Sequence, residues 1–199
     1  MSACLLGEPV RYDGEHKRNG LVADVLPRWL RMQPLCPETA IGLPTPRPPV
    51  QVVMVKDSKR VRGVSDPTQD VTDALHQYAD SLNINASGFL LKARSPSCGP
   101  GNTPLWREGE QIGFTDGAFA AAIAQRFPWL PVVSEDQLGS PTEIELFVLR
   151  CATARLWQRW RDANRQAFSR RVQAVLPASH ARRLSDYWQT LDAITTQES

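Results

Sequence analysis

Three cysteines stand where an α/β protein places reactive groups. Cys98 lies in Ser95-Pro96-Ser97-Cys98-Gly99, a stiff polar loop closed by glycine. It follows Gly88-Phe89-Leu90-Leu91-Lys92-Ala93, whose apolar run reads as a buried strand. Cys4 sits in the short apolar run before Gly7, and Cys36 follows Pro34-Leu35 and precedes Pro37. In an open sheet the carboxyl ends of parallel strands gather at one edge, where ligands bind. Thiols far apart in the chain can therefore meet. No CxxC pair is present, which argues against an ordinary four-cysteine zinc site or a ferredoxin pattern. Two readings follow from spacing alone. The three thiols are either inert core residues or a three-thiolate metal site with one open coordination position, which means chemistry. The fourth cysteine, Cys151, shares a helical stripe with Phe147 and Val148 and reads as core.

Other residues carry chemistry less distinctly. Glu38 follows Cys36-Pro37, and Ser95 and Ser97 precede Cys98, so these three are candidate proton carriers. Arg47 stands in Gly42-Leu43-Pro44-Thr45-Pro46-Arg47-Pro48-Pro49, stiff extended backbone that cannot be helix, and could meet an anion. His16 lies in the polar loop from Glu8 to Asn19, which has the composition of a binding loop. His76 and His180 fall on predicted helices and read as surface. There is no glycine-rich phosphate loop, Ser-His-Asp set or HExxH motif.

The elements that must position these residues alternate. Residues 21–32 have helical spacing interrupted by Pro27, and Val50-Gln51-Val52-Val53-Met54-Val55 is a strand. Residues 58–63 form a hairpin or loop leading to a second short strand. A helix starts at Asp70 or Thr72 and runs to about Leu82. Residues 99–113 read as irregular, and Thr115 or Asp116 caps a helix to about Phe127. Pro131-Val132-Val133-Ser134 is a last strand. Ser140-Pro141-Thr142-Glu143 is a capping box opening a long helix to about Leu176, and a final helix starts near Ser179. The predicted class is α/β, a mostly parallel sheet flanked by helices, with a C-terminal helical extension. Residues 1–138 form the first predicted domain and 139–199 the extension. Only the end of a first strand fits before Cys4.

Bulk properties set limits. The 199 residues suit one domain with an appendage, and 42% are hydrophobic. No apolar run approaches the ~18 residues of a membrane span. With four cysteines and no export signal, reduced thiols and a cytoplasmic location are expected. The net charge of +2 is uneven: residues 150–199 hold nine arginines against four carboxylates, interleaved with Trp157, Trp160 and Trp188. Such a tail suits nucleic acid, and it suits a solvated amphipathic helix equally.

Several ordered motifs together resemble one family. They are Ser2-Ala3-Cys4-Leu5-Leu6-Gly7, Val10-Arg11-Tyr12-Asp13-Gly14, Cys36-Pro37-Glu38 with Gly42-Leu43-Pro44-Thr45-Pro46-Arg47, Asp70-Val71-Thr72, and Lys92-Ala93-Arg94-Ser95-Pro96-Ser97-Cys98-Gly99. This set, from residue 2 to about 136, is similar to the thiouracil desulfurase family. The resemblance implies an enzyme acting on a C=S bond, a desulfidase. It implies a 4Fe-4S cluster held by three cysteines, here Cys4, Cys36 and Cys98, with the fourth iron free to take the substrate's sulfur. The implied reaction is non-redox desulfuration of a thiolated pyrimidine base or nucleoside, thiouracil or thiouridine in type, with sulfide released. Glu38, Ser97 and Ser95 are then the catalytic candidates, and Arg11, Asp13 and Arg47 the substrate-binding ones. Two alternatives remain. One is a tRNA-binding or tRNA 4-thiouridine desulfidase module that uses the basic tail. The other is a structural relative without a cluster.

Overall fold

The structure, a computed structural model, describes residues 1–83 and 85–160. The predicted end of the long helix at Leu176, the final helix near Ser179, His180 and most of the basic tail lie outside the described residues. The chain divides into two units. The first comprises Met1–Ile84, Leu90–Arg126 and Val132–Gln137. The second takes Asn85–Phe89 and Phe127–Pro131 together with the chain from Leu138, described to Trp160.

The first unit opens with a 3-10 turn, Ala3–Leu6, stopped by Gly7 at φ 102°, a left-handed conformation that suits glycine. Leu21–Val25 is a single π-type turn and Leu26–Arg28 a 3-10 turn. Pro27 thus breaks the predicted 21–32 helix into two short pieces. Helix α1 is Pro37–Ala40, with proline at its first position. Strands β1 (Val50–Val55) and β2 (Ser58–Gly63) form an antiparallel hairpin, turned at Lys56 with φ 53°. Helix α2 (Thr72–Ser81) follows, then β3 (Phe89–Leu91). Strands β4 (Thr103–Arg107) and β5 (Glu110–Thr115) make a second hairpin. Helix α3 (Ala118–Arg126) and β6 (Val132–Ser134) complete the unit.

The class is α/β, with helices flanking strands and a long C-terminal helix. The sheet is less parallel than expected. Its order is β2-β1-β4-β5, and only β1–β4 is parallel. The difference comes from residues 99–113, read in the sequence as irregular. Glu108 and Gly109 both adopt positive φ, 51° and 87°, and such a two-residue turn matches the twist of an antiparallel pair. Pro104 and a register shift at Leu105/Trp106 obscure the alternation that would reveal these strands.

One face of the sheet carries Val52, Val61 and Leu105, packed with Val71 and Leu75 before and within α2 and with Ala118 of α3. Each such buried Leu or Val contributes about 1.5–3 kcal/mol. Asp70 ties β2 to α2: it accepts from Arg60 (2.8 Å), Arg62 (3.0 Å) and the Thr72 hydroxyl (2.7 Å), and that hydroxyl in turn accepts from the Val61 amide. Burial works to raise the Asp70 carboxyl, and the bonds from Arg60, Thr72 and Arg62 outweigh it, holding the group well below the usual carboxylate range. Tyr78 of α2 stacks on Phe119 of α3 at 5.7 Å.

The second unit is built on α4 (Pro141–Trp160). Its capping box forms as the sequence predicts. The Ser140 amide donates to Glu143 Oε2 at 2.9 Å, and the Glu143 amide to Ser140 Oγ at 3.3 Å. Trp157 lies against Trp129 at 5.2 Å, and Gln158 donates to the Ala86 carbonyl. Cys151 is buried, as expected, and a Cβ at Gly88 would come within 2.7 Å of its sulfur. No described helix is long and apolar enough to cross a membrane.

Candidate active site

The chain segments that carry the three candidate thiols are joined by backbone pairing. Ser2 forms a parallel bridge with Leu35. The Ala3 amide donates to the Leu35 carbonyl at 2.8 Å, and the Leu35 amide to the Met1 carbonyl at 2.8 Å. On the other side the Ser2 amide donates to the Leu90 carbonyl of β3 at 3.0 Å, and the Lys92 amide to Ser2 Oγ at 2.9 Å. A short strand stub therefore lies between Leu35 and β3. Cys4 leaves its end, Cys36 follows Leu35, and Cys98 lies on the loop after β3. The three cysteines thus follow paired, strand-like segments, as the sequence reading expects of residues at strand ends.

All four cysteines are free, and Cys4 and Cys98 are buried. Burial pushes the Cys4 thiol up to about 11, with Cys36 adding to the rise and Lys92 and Arg11 opposing it. Burial also pushes the Cys98 thiol far up. Glu38, Cys36 and Cys4 push the same way, while a hydrogen bond with Ser2 opposes them. Cys4 and Cys36 line one cavity with Glu38, and the charges of all three groups act on the Cys98 thiol. Among the described residues no three His, Cys, Asp or Glu side chains close on a single metal ion. A cluster makes a different demand, because each thiolate binds its own iron and the sulfurs need not share one point. The donor set has the chemistry of such a cluster: three soft thiols free of disulfides, two of which, Cys4 and Cys98, have their charged forms destabilised by burial.

Glu38 sits in the first turn of α1 and is buried. Its two oxygens have separate partners. Oε2 accepts from Arg47 Nε at 2.8 Å and Nη2 at 2.6 Å, while Oε1 accepts from Ser97 Oγ at 2.8 Å. Arg47 Nη1 donates to the carbonyls of Val10 and Pro44 and to Thr45 Oγ1, so all three guanidinium nitrogens are engaged. Arg47 is thus turned onto Glu38 and the loop backbone. Ser95 Oγ accepts the amides of Ser97 (3.3 Å) and Cys98 (3.1 Å) and shapes the thiol loop. That loop is seated on α3, where the Ala118 and Ala120 amides donate to the Pro96 and Ser97 carbonyls.

A cavity of about 60 Å³ is lined by Cys4, Cys36, Glu38, Arg47, Val10, Arg11 and Tyr12. Ser97, fully buried, backs Glu38 without lining the cavity. Arg11 pairs bidentately with Asp13, at 3.2 and 2.8 Å, and the Arg11 guanidinium holds the Asp13 carboxyl down at about 2. His16 Nδ1 accepts the Arg18 amide, and His16 and His76 are exposed, so neither joins the site. A larger cleft, about 580 Å³, lies between α2 and α3 and holds none of the thiols. The thiols and carboxylate, rather than size, identify the candidate site.

Sequence patterning does not single out three further participants. Ser2 joins all three segments and opposes the upward push on the Cys98 thiol. Tyr78 feels the charges of Cys36 and Cys98 on top of its own burial, and all three raise its phenol. It occupies a core-facing position of α2, where an aromatic reads as packing. Lys92 forms an ion pair with Glu135, and both act on the Cys4 thiol.

Comparison with known proteins finds similarity over most of the chain. A model of the 2-thiouracil desulfurase family matches residues 1–135. YbbK, an uncharacterised protein of Bacillus subtilis (strain 168), is 32% identical over 110 residues, which span 51% of this chain and 72% of the relative. The solved structure of TudS, described as a 4Fe-4S-dependent thiouracil desulfidase, is 36% identical with a TM-score of 0.54. It covers 73% of this chain and 93% of its own.

Proposed function

The chain belongs to the 2-thiouracil desulfurase family, and from that premise we propose that it removes sulfur from a thiolated pyrimidine without net redox change. The reaction replaces C=S by C=O: water supplies the oxygen, and sulfide leaves with the water's protons. We assign the cluster ligands to Cys4, Cys36 and Cys98. A 4Fe-4S cluster on three thiolates supplies a Lewis-acidic iron with an open position that selects a soft sulfur.

The chain's own residues handle orientation and protons. The observation that carries the reading is the Glu38 carboxylate, which lines the same cavity as Cys4 and Cys36 and is fixed from both sides. Arg47 immobilises Oε2. Oε1 is the oxygen that exchanges a proton with the attacking water, and Ser97 orients it from behind. Ser95 acts by holding the Ser97-Cys98 turn. Arg11 lines the cavity and meets a polar edge of the pyrimidine, with Asp13 setting its direction. Four unpaired cysteines and an iron–sulfur site suit a reducing compartment, the cytoplasm.

Anaerobic reconstitution followed by measurement of sulfide released from 2-thiouracil tests the proposal. Cluster-dependent release is expected. Running 4-thiouridine and thiolated tRNA alongside resolves base, nucleoside and RNA as substrates. No release from any of the three sinks the reading.

A further inference from the structure

The cavity beside Cys4 and Cys36 is small, so it takes the reacting edge of a ligand and leaves the rest at its rim. Among the described residues, the cavity lining carries one aromatic ring. Tyr12 lines the cavity and is 44% exposed. A single exposed aromatic is ordinary on a protein surface. This one differs in being fixed at the mouth of the thiol site. Its carbonyl accepts the Arg47 amide at 2.8 Å. The Gly14 amide donates to the Arg11 carbonyl and the Arg11 amide to the Glu15 carbonyl, closing a tight loop around it. That loop needs a left-handed residue, and Gly14 supplies it at φ 76°. The next part of the same loop is tied to the thiol turn, where the Lys17 amide donates to the Cys4 carbonyl at 2.9 Å. The Arg11 guanidinium, itself fixed by Asp13, lies over the Tyr12 ring at 5.4 Å.

We propose that Tyr12 is the stacking platform for the substrate's planar ring, which makes the site selective for heterocyclic over acyclic thiocarbonyl compounds. The inference rests on the desulfidase reading and deepens it. The preorganised loop lowers the ordering cost of binding, and an aromatic side chain offers a π face to any pyrimidine whatever its substituents. The Arg11 guanidinium, fixed by Asp13, then has a second role, packing on the Tyr12 ring and holding it in place.

Uracil, which lacks sulfur, probes binding apart from chemistry. Calorimetric titration of uracil into the reconstituted full chain is compared for wild type, Tyr12→Phe and Tyr12→Leu. Phenylalanine keeps the π face, and affinity stays within about twofold. Leucine keeps apolar bulk alone and weakens binding roughly tenfold. With 2-thiouracil, KM rises in the same order while kcat changes little. With thiourea, a C=S compound without a ring, the leucine penalty on KM shrinks to about twofold. Equal uracil affinity in wild type and Tyr12→Leu overturns the platform, as does an undiminished penalty with thiourea. Graded uracil binding without sulfide release from 2-thiouracil would instead overturn the reaction and leave the platform standing.

Discussion

Glu38 shows what one carboxylate gains from having its two oxygens held by different partners. The Arg47 pair is nearly dry, with side-chain exposures of 4% for the arginine and 11% for the glutamate. Removing one charge of such a pair leaves the other buried and uncompensated, at about 3–5 kcal/mol. Glu38→Gln is therefore expected to act twice. It lowers the denaturation midpoint, and it cuts kcat for sulfide release by roughly a hundredfold or more, the usual share of a positioned proton carrier. Iron content after reconstitution should match the wild type, because no cysteine is touched. Turnover within about threefold of wild type would remove Glu38 from proton transfer. The residue types of Cys-Pro-Glu and Ser-Pro-Ser-Cys mark candidates in the sequence, and only the family resemblance groups them into one site. The contacts are not legible there. The Ser97–Glu38 bond joins residues 59 apart, and nothing local to Arg47 says that it pairs with Glu38. Tyr78 is hidden for the opposite reason, because its position fits a packing role completely.

At the scale of elements, the site depends on how closely the Cys98 loop sits on the start of α3. Gly117 makes that approach possible. A Cβ there would stand 2.6 Å from the Ser97 carbonyl carbon, 2.7 Å from its oxygen and 2.8 Å from the Ser95 carbonyl oxygen. All three are backbone atoms, so no side chain can swing away, and the loop itself must move. Gly117→Ala is expected to cost about 1–3 kcal/mol and to move Ser97 off Glu38. The measurable result is a normal far-ultraviolet spectrum, a lower denaturation midpoint and a loss of sulfide release well beyond the loss of stability. Wild-type turnover in this variant would show that the loop tolerates displacement. The sequence marks the loop and the helix but not their spacing, because a glycine in Asp-Gly-Ala reads only as a turn. Strand direction is likewise only partly legible. A hairpin or loop is expected at 58–63, where the chain pairs antiparallel with β1, whereas Glu108-Gly109 closes a hairpin inside residues expected to be irregular, and its turn lacks the Asn-Gly or Asp-Gly signature that announces one.

Across the whole molecule the four cysteines separate by unit. Cys4, Cys36 and Cys98 belong to the first, and Cys151 to the second, where it lies against Gly88. The second unit is not confined to the C-terminal side, because it also takes Asn85–Phe89 and Phe127–Pro131 from within the first unit's span. A sequence read in order cannot show such interleaving, since α4 finds its packing partners far back in the chain, at Trp129, Ala86 and Gly88. This partition makes a sharp prediction about the cluster. Burial pushes the Cys151 thiol up to about 12, with no second thiol contributing. It behaves as a small apolar residue, and Cys151→Ala is expected to cost roughly 1–2 kcal/mol of packing. Iron content and sulfide release per folded molecule should stay at wild-type levels. Cys4→Ala, Cys36→Ala and Cys98→Ala, each in the full chain, should all lose the visible absorbance of the cluster, since two thiolates cannot hold what three do. Iron and sulfide quantified on the four variants decide the matter. Loss of the cluster in Cys151→Ala at unchanged stability would make Cys151 a fourth ligand, and the open iron position would then have to be found elsewhere.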